Sequence, residues 1–190
     1  MEDPNYHFLK SRFHISEDTY SILRRLSQRR KLKAGETLVN QGSQNRKVAF
    51  LASGLMRAFS TLETGKEITK NIFSPISFVG AFSSIVKKEP SKFCYEALTD
   101  TVLYEIDFEE FKAVTQQNIQ ISNLYNRILE YIFILYEQKL IEDITLNATE
   151  RYLNLKSKIP DIDSLIPQYQ IASFLNVSPV QLSRIRKALP

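Results

Sequence analysis

The spacing of apolar residues divides the chain into three textures. Near the start, Ser16-Glu17-Asp18 precedes Tyr20, Ile22, Leu23 and Leu26, the signature of a capped amphipathic helix. From Leu32 to Asp107 the pattern changes to short runs rich in Val, Ile, Phe and Thr, punctuated by Gly35, Gly42, Gly54, Gly65 and Gly80. This predicts an antiparallel β domain with strands over 36–40, 47–52, 55–62, 67–73, 93–98 and 102–106, and a hairpin turn at Thr64-Gly65. After Phe111 the period returns to that of a helix. A continuous helix is predicted over 119–144, followed by another that opens at Glu150 and ends before Pro160.

The last stretch, Gln168 to Leu189, reads as two short helices joined by a tight turn. Ile171, Ala172, Phe174 and Leu175 fall on one face of the first; Val180, Leu182, Ile185 and Leu189 line the inner side of the second. Between them, Asn176 suits a left-handed helix exit, Ser178 is an N-cap, and Pro179 stands where no amide hydrogen is needed. This is the pattern of a helix-turn-helix. From Leu165 onward Arg184, Arg186 and Lys187 face no acidic residue, the polarity that a phosphate backbone attracts. The basic run Arg24-Arg25 with Arg29-Arg30-Lys31 and Lys33 reads as a solvated helix end.

Composition narrows the choice. In 190 residues, 43% apolar content is enough for a buried core, and a net charge of +4 is too mild to decide the partner. The single cysteine, Cys94, excludes an intrachain disulfide and an oxygen-sensing iron–sulfur cluster. No run approaches the length of a membrane span and the start is polar, so a soluble cytoplasmic protein without a membrane partner is expected. There is no phosphate loop, nucleophile elbow, paired-histidine metal spacing or Cys–His pair, so no catalytic and no metal-binding residue is expected. His7 and His14 read as exposed or hydrogen-bonded residues rather than haem ligands.

The order of Lys33-Ala34-Gly35-Glu36, Gln41-Gly42, Leu51 to Arg57, Gly65-Lys66-Glu67 and Phe78-Val79-Gly80, a long helix, and then Leu182-Ser183-Arg184-Ile185 resembles the Crp–Fnr family of bacterial transcription regulators. The resemblance implies an α+β chain in three parts. Residues 1–117 would form a cyclic-nucleotide-binding-like β-roll or jelly roll, 118–146 a dimerisation helix, and 147–190 a winged-helix-like DNA-binding domain. Room for a wing is short, since its hairpin would have to lie in the Pro160 to Leu165 connection or after Pro190. By the same resemblance Gln170, Ser178, Pro179, Val180, Gln181, Ser183, Arg184 and Lys187 form the DNA face. Arg184 is the base-reading arginine, able to present two donors to guanine.

The resemblance also places an effector pocket at Gly80, Ala81, Phe82, Ser91 and Lys92. Members that bind cyclic AMP carry a Glu after this glycine and an Arg eleven residues beyond it; here those positions are Ala81 and Ser91. Neither replaces a charge-assisted contact to ribose or phosphate, so cyclic AMP is not expected as a cofactor and the effector is unknown. On the long helix one apolar stripe is Ile121, Leu124, Ile128, Tyr131 and Leu135; the other is Tyr125, Leu129, Ile132, Tyr136 and Leu140. The β domain is expected to cover one face and a second copy the other, with the first stripe assigned to the dimer; the alternative is a monomer whose own chain covers both faces. A two-fold dimer would set two recognition helices about 34 Å apart on an inverted repeat of double-stranded DNA. An activator of this kind also touches RNA polymerase, through a surface that no residue pattern here identifies. The rival reading is an effector-binding module with little or no DNA binding.

Overall fold

The computed structural model describes residues 4–189. Two helices, α1 (Pro4–Phe13) and α2 (Glu17–Leu26), precede the β domain. Ser16 caps α2 as its sequence implies, its hydroxyl accepting from the Thr19 amide at 3.2 Å. Eight strands follow: β1 (Gln28–Leu32), β2 (Thr37–Val39), β3 (Lys47–Ser53), β4 (Met56–Thr61), β5 (Glu67–Phe73), β6 (Ser77–Val79), β7 (Cys94–Ala97) and β8 (Thr101–Asp107). They form two antiparallel four-stranded sheets, ordered β1-β8-β3-β6 and β2-β7-β4-β5. The short helix α3 (Phe82–Lys87) interrupts them.

The core between the sheets comes from residues alternating inward, among them Leu51, Met56, Ala58 and Leu103, all fully buried. Gly54 makes the tight β3–β4 connection with φ +85, and an added Cβ would collide with the Asp100 carbonyl oxygen. On the other face of β4, Arg57 is 3% exposed. Its guanidinium pairs with Glu67 and Glu96 at 2.6 Å each and lies over the Phe59 ring at 3.8 Å. It ties three neighbouring strands together.

Two strands were not expected from the pattern. β6 is three residues long, and β1 carries Arg29, Arg30 and Lys31, which read as the end of a helix but pair with β8 instead. β1 is a sheet edge, where charged side chains are normal.

Helix α4 (Phe108–Gln117) leads into α5 (Ile119–Thr145), within a residue of the predicted span, and Asn118 caps it by accepting from the Gln120 and Ile121 amides. The C-terminal unit comprises α6 (Ala148–Lys158), α7 (Ile162–Leu165), α8 (Gln168–Phe174) and α9 (Pro179–Ala188). The Pro160 to Leu165 connection contains α7 rather than a hairpin, and among the described residues no strand lies in this unit. No described helix is long and apolar enough to cross a membrane.

Candidate nucleic-acid interface and effector pocket

The turn between α8 and α9 is built as its residues dictate. Asn176 takes the left-handed conformation (φ +55), its amide donating to the Ser173 carbonyl at 3.2 Å, and the Val177 amide reaches back to the Ala172 carbonyl at 3.0 Å. Ser178 and Gln181 form a reciprocal capping box over Pro179: the Gln181 amide donates to the Ser178 hydroxyl at 3.1 Å, and the Ser178 amide to Gln181 Oε1 at 2.8 Å. Ile171, Leu175 and Leu182 join Tyr152, Leu155 and Ile162 in one buried cluster that also takes in Leu55 and Ile72 of the β domain. The helix pair is therefore locked to both α6 and the β domain. α8 also bonds to the free edge of β5: the Thr69 amide donates to Ser173 Oγ at 2.9 Å, and that hydroxyl donates to the Glu67 carbonyl at 3.2 Å.

Of the eight expected DNA-face residues, Ser178, Pro179, Val180, Gln181, Arg184 and Lys187 are exposed and Ser183 is half-buried. Val180 is 62% exposed, so it belongs to the outer face and not to the inner row where its apolar character had also placed it. Gln170 is a correction. It is buried among the α6–α8 contacts and cannot reach a phosphate in this arrangement, while Gln168 and Tyr169 beside it are exposed. The register of α8 decides this, since Gln170 shares a face with Phe174 and the side chains below it. Arg186 also turns inward, toward Asp163 at 3.6 Å, and that aspartate accepts the Tyr152 hydroxyl at 2.6 Å. Burial and this hydrogen bond push the Tyr152 hydroxyl up to about 12. Arg184 and Lys187 are left as the outward cations of α9.

The dimer stripe needs a second correction. Ile121 and Leu124 are buried, Ile128 and Tyr131 pack with them, and their partners are α4 together with Tyr6, Leu9, Phe13 and Ile15 of the N-terminal segment. The N-terminal helices cover the face that had been given to a second copy. Leu135 is 45% exposed but looks into the groove between α5 and the β domain. The unpartnered face lies further along, and of its residues Phe133 alone borders that groove. Phe133 and Leu140, and Ile134 and Ile141, repeat at seven residues; with Ile144 they are each about half exposed or more.

Among the expected effector residues, Ala81 is buried in the core and Lys92 is exposed. Ser91 is buried, and its hydroxyl is used locally, donating to the Phe93 carbonyl at 2.7 Å and accepting from the Phe93 amide at 3.3 Å. Phe82 packs edge-on against Phe108 at 5.6 Å between ring centres. Inside the roll, Phe73 and Tyr95 stack at 6.2 Å. The five residues do not converge on one ligand-sized space. Among the described residues no three His, Cys, Asp or Glu side chains cluster to hold a metal ion.

Residues 29–118 match the cyclic nucleotide-binding domain family. No curated protein matches the chain by sequence. Solved structures that match over most of the chain include FixK2 from Bradyrhizobium japonicum, 14% identical, TM-score 0.66, covering 85% of this chain and 83% of its own. The global regulator CLP of Xanthomonas campestris is 16% identical with a TM-score of 0.67, covering 90% of each chain. The catabolite activator protein of Thermus thermophilus is 21% identical with a TM-score of 0.56, covering 98% of this chain and 86% of that one.

The chain shares its fold with these proteins. Within it, the structure separates two kinds of residue. The turn between α8 and α9 and the cap of α9 are local and stand where the sequence pattern put them. Missed altogether were Arg57 and Ser173, which hold strands and domains together. A signal for Arg57 existed in principle, since an arginine in a strand needs carboxylates on neighbouring strands, and Glu67 and Glu96 supply them. Ser173 offered none, because its partners are backbone groups over a hundred residues away in sequence.

Proposed function

We propose that this chain is a DNA-binding transcription regulator of the Crp–Fnr type, reading an inverted-repeat operator as a homodimer, and that it is not an enzyme. The observation that carries the reading is the outer face of α9. A capped helix start presents Pro179, Val180, Arg184 and Lys187 to solvent while Leu182 anchors the helix from behind. A helix held this way enters a major groove with its first turns against base edges; Arg184 reads guanine, and Lys187 meets backbone phosphate. The outward stripe of Phe133, Ile134, Leu140, Ile141 and Ile144 supports pairing of two α5 helices, which spaces two copies of α9 on one DNA face. A cytoplasmic setting fits both the DNA partner and the single buried thiol of Cys94.

The effector is not held by the cyclic AMP geometry. Ala81 and the internally bonded Ser91 offer no charge to ribose or phosphate, and Lys92 is on the outside. Selection from a random duplex library at one stated salt concentration tests the reading. Enrichment of an inverted repeat with half-sites about one turn apart supports it. A folded, dimeric protein that enriches nothing would instead be an effector-binding module without an operator. In the same assay Arg184→Ala is expected to cost about 1–3 kcal/mol and to relax preference at one base pair per half-site. Equal weakening on all sequences would make Arg184 a phosphate contact.

A further inference from the structure

A groove of about 980 Å³ runs between the β domain and α5, at the upper end of the size of a small-molecule site. Its walls are mostly aromatic and aliphatic: Phe73 and Tyr95 from the roll, Ile132 and Tyr136 from α5. Of the residues expected to form the effector pocket, Gly80 and Phe82 border it, whereas Ala81, Ser91 and Lys92 do not. The charge along it is uneven. Arg24, Lys70, Lys139, Arg151 and Lys158 line it against only Glu130 and Glu142, and Glu142 is taken by Lys158 at 2.8 Å. Lys70 has no carboxylate partner among the described residues. Its ammonium sits 4.8 Å from the centre of the Phe93 ring and 5.5 Å from that of Tyr136, at the seam between β5 and α5. Burial, and Tyr136 after it, hold the Tyr95 hydroxyl protonated well above the usual range, so it remains a hydrogen-bond donor.

We propose that this groove binds an amphipathic carboxylate, its apolar body along Phe73, Tyr95 and Ile132 and its charged head between Lys70 and the Tyr136 hydroxyl. A cation without a counter-ion beside apolar walls recognises one charge attached to an apolar body, and a neutral oil or a polar nucleotide satisfies only half of it. A second copy of the chain is not the occupant. Among the residues of α5 that line the groove, Ile132, Leu135, Tyr136 and Lys139 are on the side toward the β domain and Phe133 stands at its margin, whereas Ile134, Leu140, Ile141 and Ile144 lie outside it and stay available for pairing. The groove joins the roll to α5 and reaches Arg151, Phe174 and Leu175, so a ligand there touches the elements that hold α9. The inference rests on the regulator reading for its biological meaning, though not for its chemistry.

The test uses the full chain titrated with 11-(dansylamino)undecanoic acid and with its methyl ester, followed by dansyl fluorescence. The acid is expected to saturate at one molecule per chain and the ester to bind about tenfold or more weakly, as loss of a charge-assisted contact implies. Lys70→Gln should bring the acid down to the level of the ester and leave the ester unmoved. Lys70→Arg should restore most of the difference, and Tyr136→Phe should weaken the acid severalfold. Absence of saturable binding, equal binding of acid and ester, or equal loss of both in Lys70→Gln overturns the site. So does binding that appears only when Ile141→Glu has separated the dimer, for then the groove belongs to the second copy. Duplex DNA binding is measured on the same samples. Probe binding without DNA affinity removes the regulator reading and leaves the site, whereas DNA affinity without probe binding removes the site alone.

Discussion

The contact between Ser173 and β5 lends itself to a quantitative test of how the α8–α9 pair is held. β5 is the edge of its sheet, so its outward amides and carbonyls have no strand partner. The Ser173 hydroxyl takes the place of one, bonding both the Thr69 amide and the Glu67 carbonyl, and Thr69 is only 5% exposed. Ser173→Ala removes both bonds without adding bulk. At about 0.5–1.5 kcal/mol net each, the expected loss is about 1–3 kcal/mol, toward the upper end because a buried amide is left unpaired. For a chain of this size that lowers the melting temperature by about 2–10 °C. Native-state hydrogen exchange gives the more local reading. The Thr69 amide should exchange faster, by about tenfold for each 1.4 kcal/mol, while the amide of Leu51 in β3, which opens only with the whole fold, should speed up by no more than the loss of global stability. Unchanged exchange at Thr69 in a folded variant would refute the argument, and α8 would then not be docked on this edge in solution.

Three further outcomes follow from named contacts. Ile141→Glu places a carboxylate on the outward stripe of α5; if that stripe pairs, an uncompensated buried charge should weaken the dimer by about 3–5 kcal/mol, seen as monomers in sedimentation. Leu124→Ala, at a residue 2% exposed within one protomer, should instead cost about 2–5 kcal/mol of folding stability and leave the oligomeric state alone. Glu142 should show a signature in pH. Burial acts to raise its carboxyl, but hydrogen bonds from Lys158 and Asn154 and the charges of Lys158 and Lys139 outweigh it, so the folded value lies below the ordinary 4.5. A carboxyl lowered by folding contributes stability that is fully present above about 4.5 and is lost as pH falls through its folded value. The melting temperatures of wild type and Glu142→Gln should therefore differ at pH 7 and converge in acid; a difference that persists below the folded value would point to packing rather than charge.

The parts legible in the sequence are those whose physics is local. The α8–α9 turn follows from a left-handed Asn176, a capping Ser178 and a Pro179 that needs no donor, all within four residues. The span of α5 follows from 27 residues without a helix breaker between Asn118 and Leu146. The alternating runs gave most of the strands, since a half-buried strand repeats every two residues wherever it pairs. β1 was hidden because Gln28 to Lys31 are polar, and only the pairing with β8 makes them a strand.

Function-bearing surfaces were harder to read, because exposure is a property of the whole chain. Periodicity showed that α5 has apolar residues on more than one side, which a helix with several partners requires. It could not show that Tyr6, Leu9 and Phe13 would cover Leu124 and Tyr131 and leave Ile141 and Ile144 outside. Likewise Gln170 has the chemistry of a phosphate ligand, and only the packing of α8 against α6 and β5 turned it inward. The sequence by itself determined most of the elements and their caps, since each of those depends on residues a few positions apart. Tertiary structure alone decided which faces remain exposed, because burial is set by contacts between residues far apart in the chain.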